Sequence, residues 1–255
     1  MKKTLKVIFA LALTFAMVFS FVACDGNKTE EVSSLKETTI TNDNFAAEDK
    51  EESTDEKNQT TANLVKAEIE IVDYGTIKLD LYAEDAPKTV ANFVNLAKSG
   101  FYNGLTFHRI MEDFMMQGGD PLGNGTGGNT DKSGKEINVE GEFSANGHTN
   151  NISHIRGTIS MARSGSQYES YLSMGYDLPA EAQSDLKRAY NSASSQFFIV
   201  HKDSEFLDGN YAAFGRVTDG MDVVDKVCKK AKPTDNNGTI AKKEQPIIKT
   251  IKIVE

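Results

Sequence analysis

Phe107-His108-Arg109-Ile110-Met111-Glu112-Asp113-Phe114-Met115-Met116-Gln117-Gly118-Gly119-Asp120 is the most informative stretch of this 255-residue chain. Read as strand, it sets Arg109, the Phe114-Met115 pair and Gln117 at two-residue spacing, so that alternate side chains line one wall of a groove. Such a wall suits a ligand with an apolar ring beside a polar amide. Proline within a peptide has that chemistry, because its ring is apolar and its nitrogen belongs to the amide bond.

Working outward, the chain from Leu64 carries the signals of a folded domain. Ala67 to Val72 alternates polar and apolar residues, Asp73-Tyr74-Gly75 reads as a turn, and Ile77 to Leu81 alternates again, which predicts a β-hairpin. Asp85-Ala86-Pro87 then supplies a cap and a first-turn proline. Val90, Phe93, Val94 and Ala97 recur at helical spacing until Ser99-Gly100. A second helix is predicted from Met221 to about Lys230, and a last strand over Ile248 to Val254. Many short strands with two helices predict a mainly β fold, a closed eight-stranded antiparallel barrel capped by two α-helices.

The first 63 residues read differently. Lys2, Lys3 and Lys6 precede an apolar run from Val7 to Ala23, the layout of an export signal over residues 1–23. Phe21-Val22-Ala23-Cys24 resembles the lipobox of bacterial lipoproteins, although Phe21 stands where leucine is usual. Cleavage before Cys24 and lipidation of its sulfur are therefore expected, with an ordinary signal peptide or an uncleaved anchor as the alternative. Cys228 would then be the only thiol left, which excludes an intramolecular disulfide. Residues 25–63 hold four Lys against eleven Asp and Glu and few apolar side chains, so residues 24–63 are expected to form a lipidated cysteine and a disordered acidic tether. The net charge of -9 divides as +3 for residues 1–24, -7 for 25–63 and -5 for the rest. No basic stripe offsets it, which argues against nucleic acid as a partner.

Six motifs follow one another in the domain: Phe107-His108-Arg109; Phe114 to Asp120; Gly125-Thr126-Gly127-Gly128; Gly157 to Ala162; Ser195 to Ile199; and Phe206-Leu207-Asp208-Gly209. Their order resembles that of the cyclophilins, and the resemblance spans about residues 64–255. It implies a peptidyl-prolyl cis-trans isomerase on a cyclophilin-like barrel, with Arg109 and Gln117 as catalytic residues. It further implies a proline pocket of Phe114, Met115, Phe198 and Leu207, flanked by Phe206 and Tyr211. Ala162, Arg163 and Ser164 would hold the extended peptide, and Gly125 and Gln196 would line the adjoining groove. No cofactor, metal or covalent nucleophile is implied.

The chemistry stands on the residues as well. An X-Pro bond turns slowly because rotation breaks amide conjugation, a barrier of roughly 18–20 kcal/mol. In the twisted state the proline nitrogen regains its lone pair, so a guanidinium beside it stabilises the transition state over either planar form. Arg109 is the candidate donor.

Departures from the family are expected to matter unequally. Phe206 stands where tryptophan is usual, which weakens the case for tight cyclosporin binding. Tyr211 stands where histidine is usual and still offers a donor. Arg163 replaces asparagine at a position used mainly through its backbone. The run 165–189 is longer than usual, with a helix suggested over Leu178 to Arg188; it reads either as a surface excursion or as a border of the groove that tunes the choice of client.

Gly123 to Gly128 fits G-x-G-x-x-G in letters, but no apolar helix follows, so it reads as a loop and not as a nucleotide site. The expected partners are proline-containing peptides, unfolded exported proteins, and a bacterial cell membrane reached through Cys24, with the chain itself a monomer. A cyclophilin-like holdase and a solute-binding lipoprotein are the alternatives, the latter needing a larger, two-lobed domain.

Overall fold

The computed structural model describes Lys3–Thr4 and residues 64–254. The expected signal peptide beyond those two residues, the lipidation site Cys24 and the acidic tether lie outside the described residues.

Eight strands form one sheet: β1 (Leu64–Ile71), β2 (Gly75–Tyr82), β3 (Thr106–Met111), β4 (Met115–Asp120), β5 (Thr158–Met161), β6 (Phe197–Val200), β7 (Ala213–Asp219) and β8 (Ile248–Val254). Their spatial order is β8-β1-β2-β7-β5-β6-β4-β3, and every neighbouring pair is antiparallel. Separately, Lys3–Thr4 pairs in parallel with Tyr176–Asp177. The predicted first hairpin forms with Ile69 opposite Ile77, and Ala67, Ile69, Ile71, Ile77, Leu79 and Leu81 all point inward. Asp73 takes up a left-handed conformation at φ 65°, and the short polar side chain tolerates it.

The closed barrel predicted from the sequence is corrected to an open half-barrel. No strand ladder joins β3 to β8. They meet through the isolated bridge of Thr106 with Ile247 and through the amides of Phe107 and Ile248, which donate to Pro246 and Leu105 at 2.9 and 2.8 Å. Further along, the outer edge of β3 pairs with another stretch: Ile110 N donates to Gly238 O at 2.8 Å and Ile240 N to His108 O at 2.9 Å, which leaves no room there for β8.

Four helices are described, not two: α1 (Pro87–Lys98), α2 (Glu169–Ser173), α3 (Ala180–Tyr190) and α4 (Met221–Lys230). The first and last are the predicted pair. From α1, Phe93 enters the core and meets Tyr102, Phe197 and Phe214 at ring distances of 5.3, 5.5 and 5.2 Å. From α4, Val223, Val224, Val227 and Cys228 are buried, and burial pushes the Cys228 thiol up to about 12, so it stays protonated. α2 is an addition the sequence did not announce, being a single short turn. α3 lies where a helix was suggested, but it is more than an excursion: Ala182, Leu186 and Tyr190 join the main core.

The start of α1 is capped from far away. Its N-cap residue Ala86 has no side chain able to cap, and Asp85 makes no such bond. Instead the buried Glu142 carboxylate accepts from the backbone amides of Lys88 and Thr89 at 2.9 and 2.8 Å. A negative group at the positive end of a helix satisfies two otherwise orphaned donors. Glu142→Ala is expected to lower the unfolding free energy by about 1–3 kcal/mol, measured by urea denaturation; a change within experimental error would show that water caps the helix equally well.

Candidate active site

The hairpin of β3 and β4 puts the decisive stretch on two strands and not on one. Arg109 pairs in register with Gln117, and Met111 with Met115, while Phe114 sits in the turn. The turn is possible because Asp113 adopts φ 63°, so the two strands fold back and stack Arg109, Met115 and Gln117 on one face. Beyond them Gly119 is required at φ 83°, where a Cβ would lie 2.6 Å from the Ser195 carbonyl oxygen. The wall predicted from strand alternation thus exists, built from cross-strand neighbours.

Arg109, Phe114, Met115, Gln117, Ala162, Arg163, Phe198, Leu207 and Tyr211 line a cavity of about 150 Å³. Its apolar base is Met115, Phe198 and Leu207, all buried, which pack together with Val200 apart from the main core. A second cavity of about 370 Å³ shares Gln117, Ala162 and Arg163 and adds Gly125, Ser164 and Gln196 among its lining. All the side chains named from the sequence therefore converge on two adjoining cavities, save Phe206, which lies outside both linings. It stacks on Phe114 at 5.7 Å and is 71% exposed, forming the rim.

The Arg109 guanidinium is fixed at one end and open at the other. Nε donates to the Asn237 carbonyl at 2.7 Å, and one terminal nitrogen donates to Gln117 Oε1 at 3.3 Å. Its other contacts are the weakly accepting sulfurs of Met111 and Met115 at 3.3 and 3.7 Å. Of the five N–H donors of a guanidinium, two meet strong acceptors and two only sulfur, so one is open and two are readily exchanged for a ligand in the cavity. Burial lowers the Arg109 pKa below the usual arginine value, an effect opposed by Tyr211 and Asp235. Gln117 is itself held, since its Nε2 donates to Gln196 Oε1 at 2.9 Å and Gln196 donates to Gly127 O at 2.8 Å.

Behind the pocket lies a polar pair that sequence reading passed over. His154, 1% exposed, contacts Asp208 Oδ1 through Nδ1 at 2.7 Å and Ser160 Oγ through Nε2 at 3.0 Å, and its ring stacks on Phe198 at 6.0 Å. Asp208 also accepts from Ser153 Oγ and the His154 amide. The two motifs containing Ser160 and Asp208 were legible, but nothing in them points to His154. Likewise Asn237 acts through its carbonyl, which residue identity does not reveal. Among the described residues no group of three or more His, Cys, Asp or Glu gathers as a metal site.

The comparisons with known proteins bear on this arrangement. The sequence model of the family described as cyclophilin type peptidyl-prolyl cis-trans isomerase/CLD matches residues 66–174 and 180–255. A peptidyl-prolyl cis-trans isomerase of Helicobacter pylori is 39% identical over 155 residues, covering 60% of this chain and 74% of that protein. A crystal structure of a cyclophilin type peptidyl-prolyl cis-trans isomerase from Cryptosporidium parvum superposes with a TM-score of 0.57 at 27% identity, covering 76% of this chain and 99% of the other. A second crystal structure of that isomerase, in the presence of the dipeptide Ala-Pro, gives 0.55 at 27% identity over 74% and 99%.

The buried histidine makes stability depend on pH. Burial pushes His154 below the usual value of 6.5, with Asp208 only partly opposing it, and burial does the same to His108. Each ring binds its proton less readily folded than unfolded, so their contribution is fully present above 6.5 and declines as pH falls below it. Urea unfolding at about pH 7.5 and about pH 5.5 is expected to give a lower free energy at the acid value, with a smaller difference in His154→Gln. An unchanged difference in the variant would assign the acid loss elsewhere.

Proposed function

The chain belongs to the cyclophilin-type peptidyl-prolyl cis-trans isomerases and catalyses that isomerisation, and from this premise we propose that it works outside the cytoplasm as a lipid-anchored form that speeds X-Pro steps in the folding of other exported proteins. The observation that carries the catalytic reading is the guanidinium of Arg109, held by Asn237 and Gln117 with donors left over, at the edge of the Met115–Phe198–Leu207 pocket.

In this reading the proline ring of an extended peptide enters that pocket and is held by burial and dispersion. Ala162, Arg163 and Ser164 take the flanking peptide, with Gly125 and Gln196 along the adjoining groove. Tyr211 donates to a substrate carbonyl and Phe206 covers the rim. With the ring fixed, the residue before proline turns. As the amide twists, Arg109 donates to the proline nitrogen, an interaction that the planar states do not offer. No bond is broken and no proton need leave the protein. The Cryptosporidium isomerase studied in the presence of Ala-Pro supports proline-containing peptides as ligands here.

The location rests on sequence: Lys2, Lys3 and Lys6 before the apolar run, the Val22-Ala23-Cys24 junction, and the acidic residues 25–63 as a tether. Uncatalysed X-Pro isomerisation takes tens of seconds and can limit folding. Expressed from its full gene in a bacterium, the protein is expected in the membrane fraction, with isomerase activity on an Ala-Pro peptide. Cys24→Ala is expected to move the activity to the soluble extracytoplasmic fraction with its rate unchanged. Retention of the variant in the membrane would count against the lipid anchor while leaving the isomerase reading intact.

A further inference from the structure

Arg163 is not the backbone-only position that its place in the family pattern suggests. Its side chain is 1% exposed, though it carries a full charge. Nη1 and Nη2 form a two-pronged pair with Glu169 Oε1 and Oε2 at 2.8 and 3.1 Å, Nε donates to Asn210 O at 2.9 Å, and Nη1 also donates to Ser164 O at 2.9 Å. The guanidinium faces three aromatic rings, Tyr211 at 4.6 Å, Tyr190 at 5.0 Å and Phe143 at 5.4 Å. A buried cation with so complete a set of partners has essentially one position.

Those partners come from two places. Glu169, the first residue of α2, belongs to the added segment, and Tyr190, the last of α3, follows directly on it. Tyr211 belongs to the proline pocket, where its ring stands edge-on to Phe198 at 5.9 Å and 85°. Glu169 is fixed in turn: it accepts from the Ser166 amide at 2.8 Å, and Ser166 Oγ donates to Asp185 of α3 at 2.8 Å. The segment's far end reaches the same place, because the Ser164 amide donates to Ser192 Oγ at 2.8 Å. Contacts thus run without a gap from α3 through Glu169 and Arg163 to Tyr211 and Phe198. A decorative surface loop has no need of a buried ion pair beneath a substrate groove.

We propose that Arg163, charged against Glu169 of the added segment, is a positioning residue for substrate binding, and that the segment acts on the isomerase reaction by holding Tyr211 and residues 162–164 in place. The inference rests on the isomerase reading and on Tyr211 belonging to the groove. It goes further in giving the segment a task on every substrate, peptide and protein alike. Tyr211 and residues 162–164 hold the part of the peptide that does not rotate, so their contacts are alike in ground and transition states. Misplacing them raises KM and leaves kcat nearly alone. Simple loss of folded protein does the reverse, because it lowers apparent kcat and leaves KM unchanged.

The test measures kcat and KM of the full chain on an Ala-Pro tetrapeptide, with the thermal midpoint of each variant. Arg163→Met and Glu169→Gln are each expected to raise KM about tenfold, the size such desolvated cation contacts carry, with kcat within about twofold. The double variant is expected to be no worse than Arg163→Met, and Arg163→Lys to recover part of the loss. In a Tyr211→Ala background Arg163→Met should add little. Leu96→Ala, a core truncation in α1, controls for stability: it should lower the midpoint without moving KM. An unchanged KM in Arg163→Met, a KM rise of equal size in Leu96→Ala, or a full further loss when Arg163→Met is added to Tyr211→Ala would overturn the proposal. A wild-type chain that fails to accelerate the peptide would instead strike the isomerase reading itself.

Discussion

A guanidinium with donors to spare, brought to the edge of an apolar pocket, is the constraint around which this domain is arranged. Desolvating a charge is costly unless it is well partnered, yet full partnering would leave nothing for a substrate. The structure meets both demands by giving Arg109 strong acceptors on one side only. Asn237 contributes a backbone oxygen and Gln117 an amide oxygen, while toward the cavity the guanidinium meets sulfurs and the Phe114 ring, 5.8 Å away. Weak contacts there are readily exchanged for a better acceptor. The chain Gln117, Gln196, Gly127 then ties the arginine's orientation to the loop that borders the second cavity.

The same logic recurs with the opposite outcome at Arg163. There the charge is completely satisfied by Glu169, carbonyl oxygens and three rings, and it is sealed from solvent. One arginine is left open and serves the chemistry; the other is closed and serves the scaffold beside it. The Glu169 carboxyl follows: burial raises its pKa, but hydrogen bonds from Arg163 and the Ser166 amide, with the arginine's charge, bring it below the usual carboxylate value.

Local signals in the sequence carried far but stopped at contacts between distant residues. The first hairpin, α1, α4 and the last strand were legible because their apolar periodicity is strict. The convergence of Arg109, Gln117, Phe198, Leu207 and Tyr211 was legible only through the ordered motifs. What was missed depends on partners remote in the chain. Glu142 caps α1 from more than fifty residues away, which no capping rule finds near Ala86. The half-barrel stays open because residues 238–240 take up the outer edge of β3, a pairing between distant stretches that alternation does not report. Arg163 looked like an incidental replacement because its meaning lies in Glu169, within the added segment that looked most dispensable, and in Tyr190 directly after it.

Replacing Arg109 tests the central claim most directly. For the full-length chain and its Arg109→Ala variant, kcat on an Ala-Pro peptide is measured beside peptide affinity and the circular dichroism spectrum. Transition-state stabilisation by this side chain predicts a fall in kcat of about 100- to 1000-fold, with the spectrum unchanged and peptide affinity weakened only slightly. A variant that still turns over at the wild-type rate, or one whose loss lies wholly in affinity, would contradict the account.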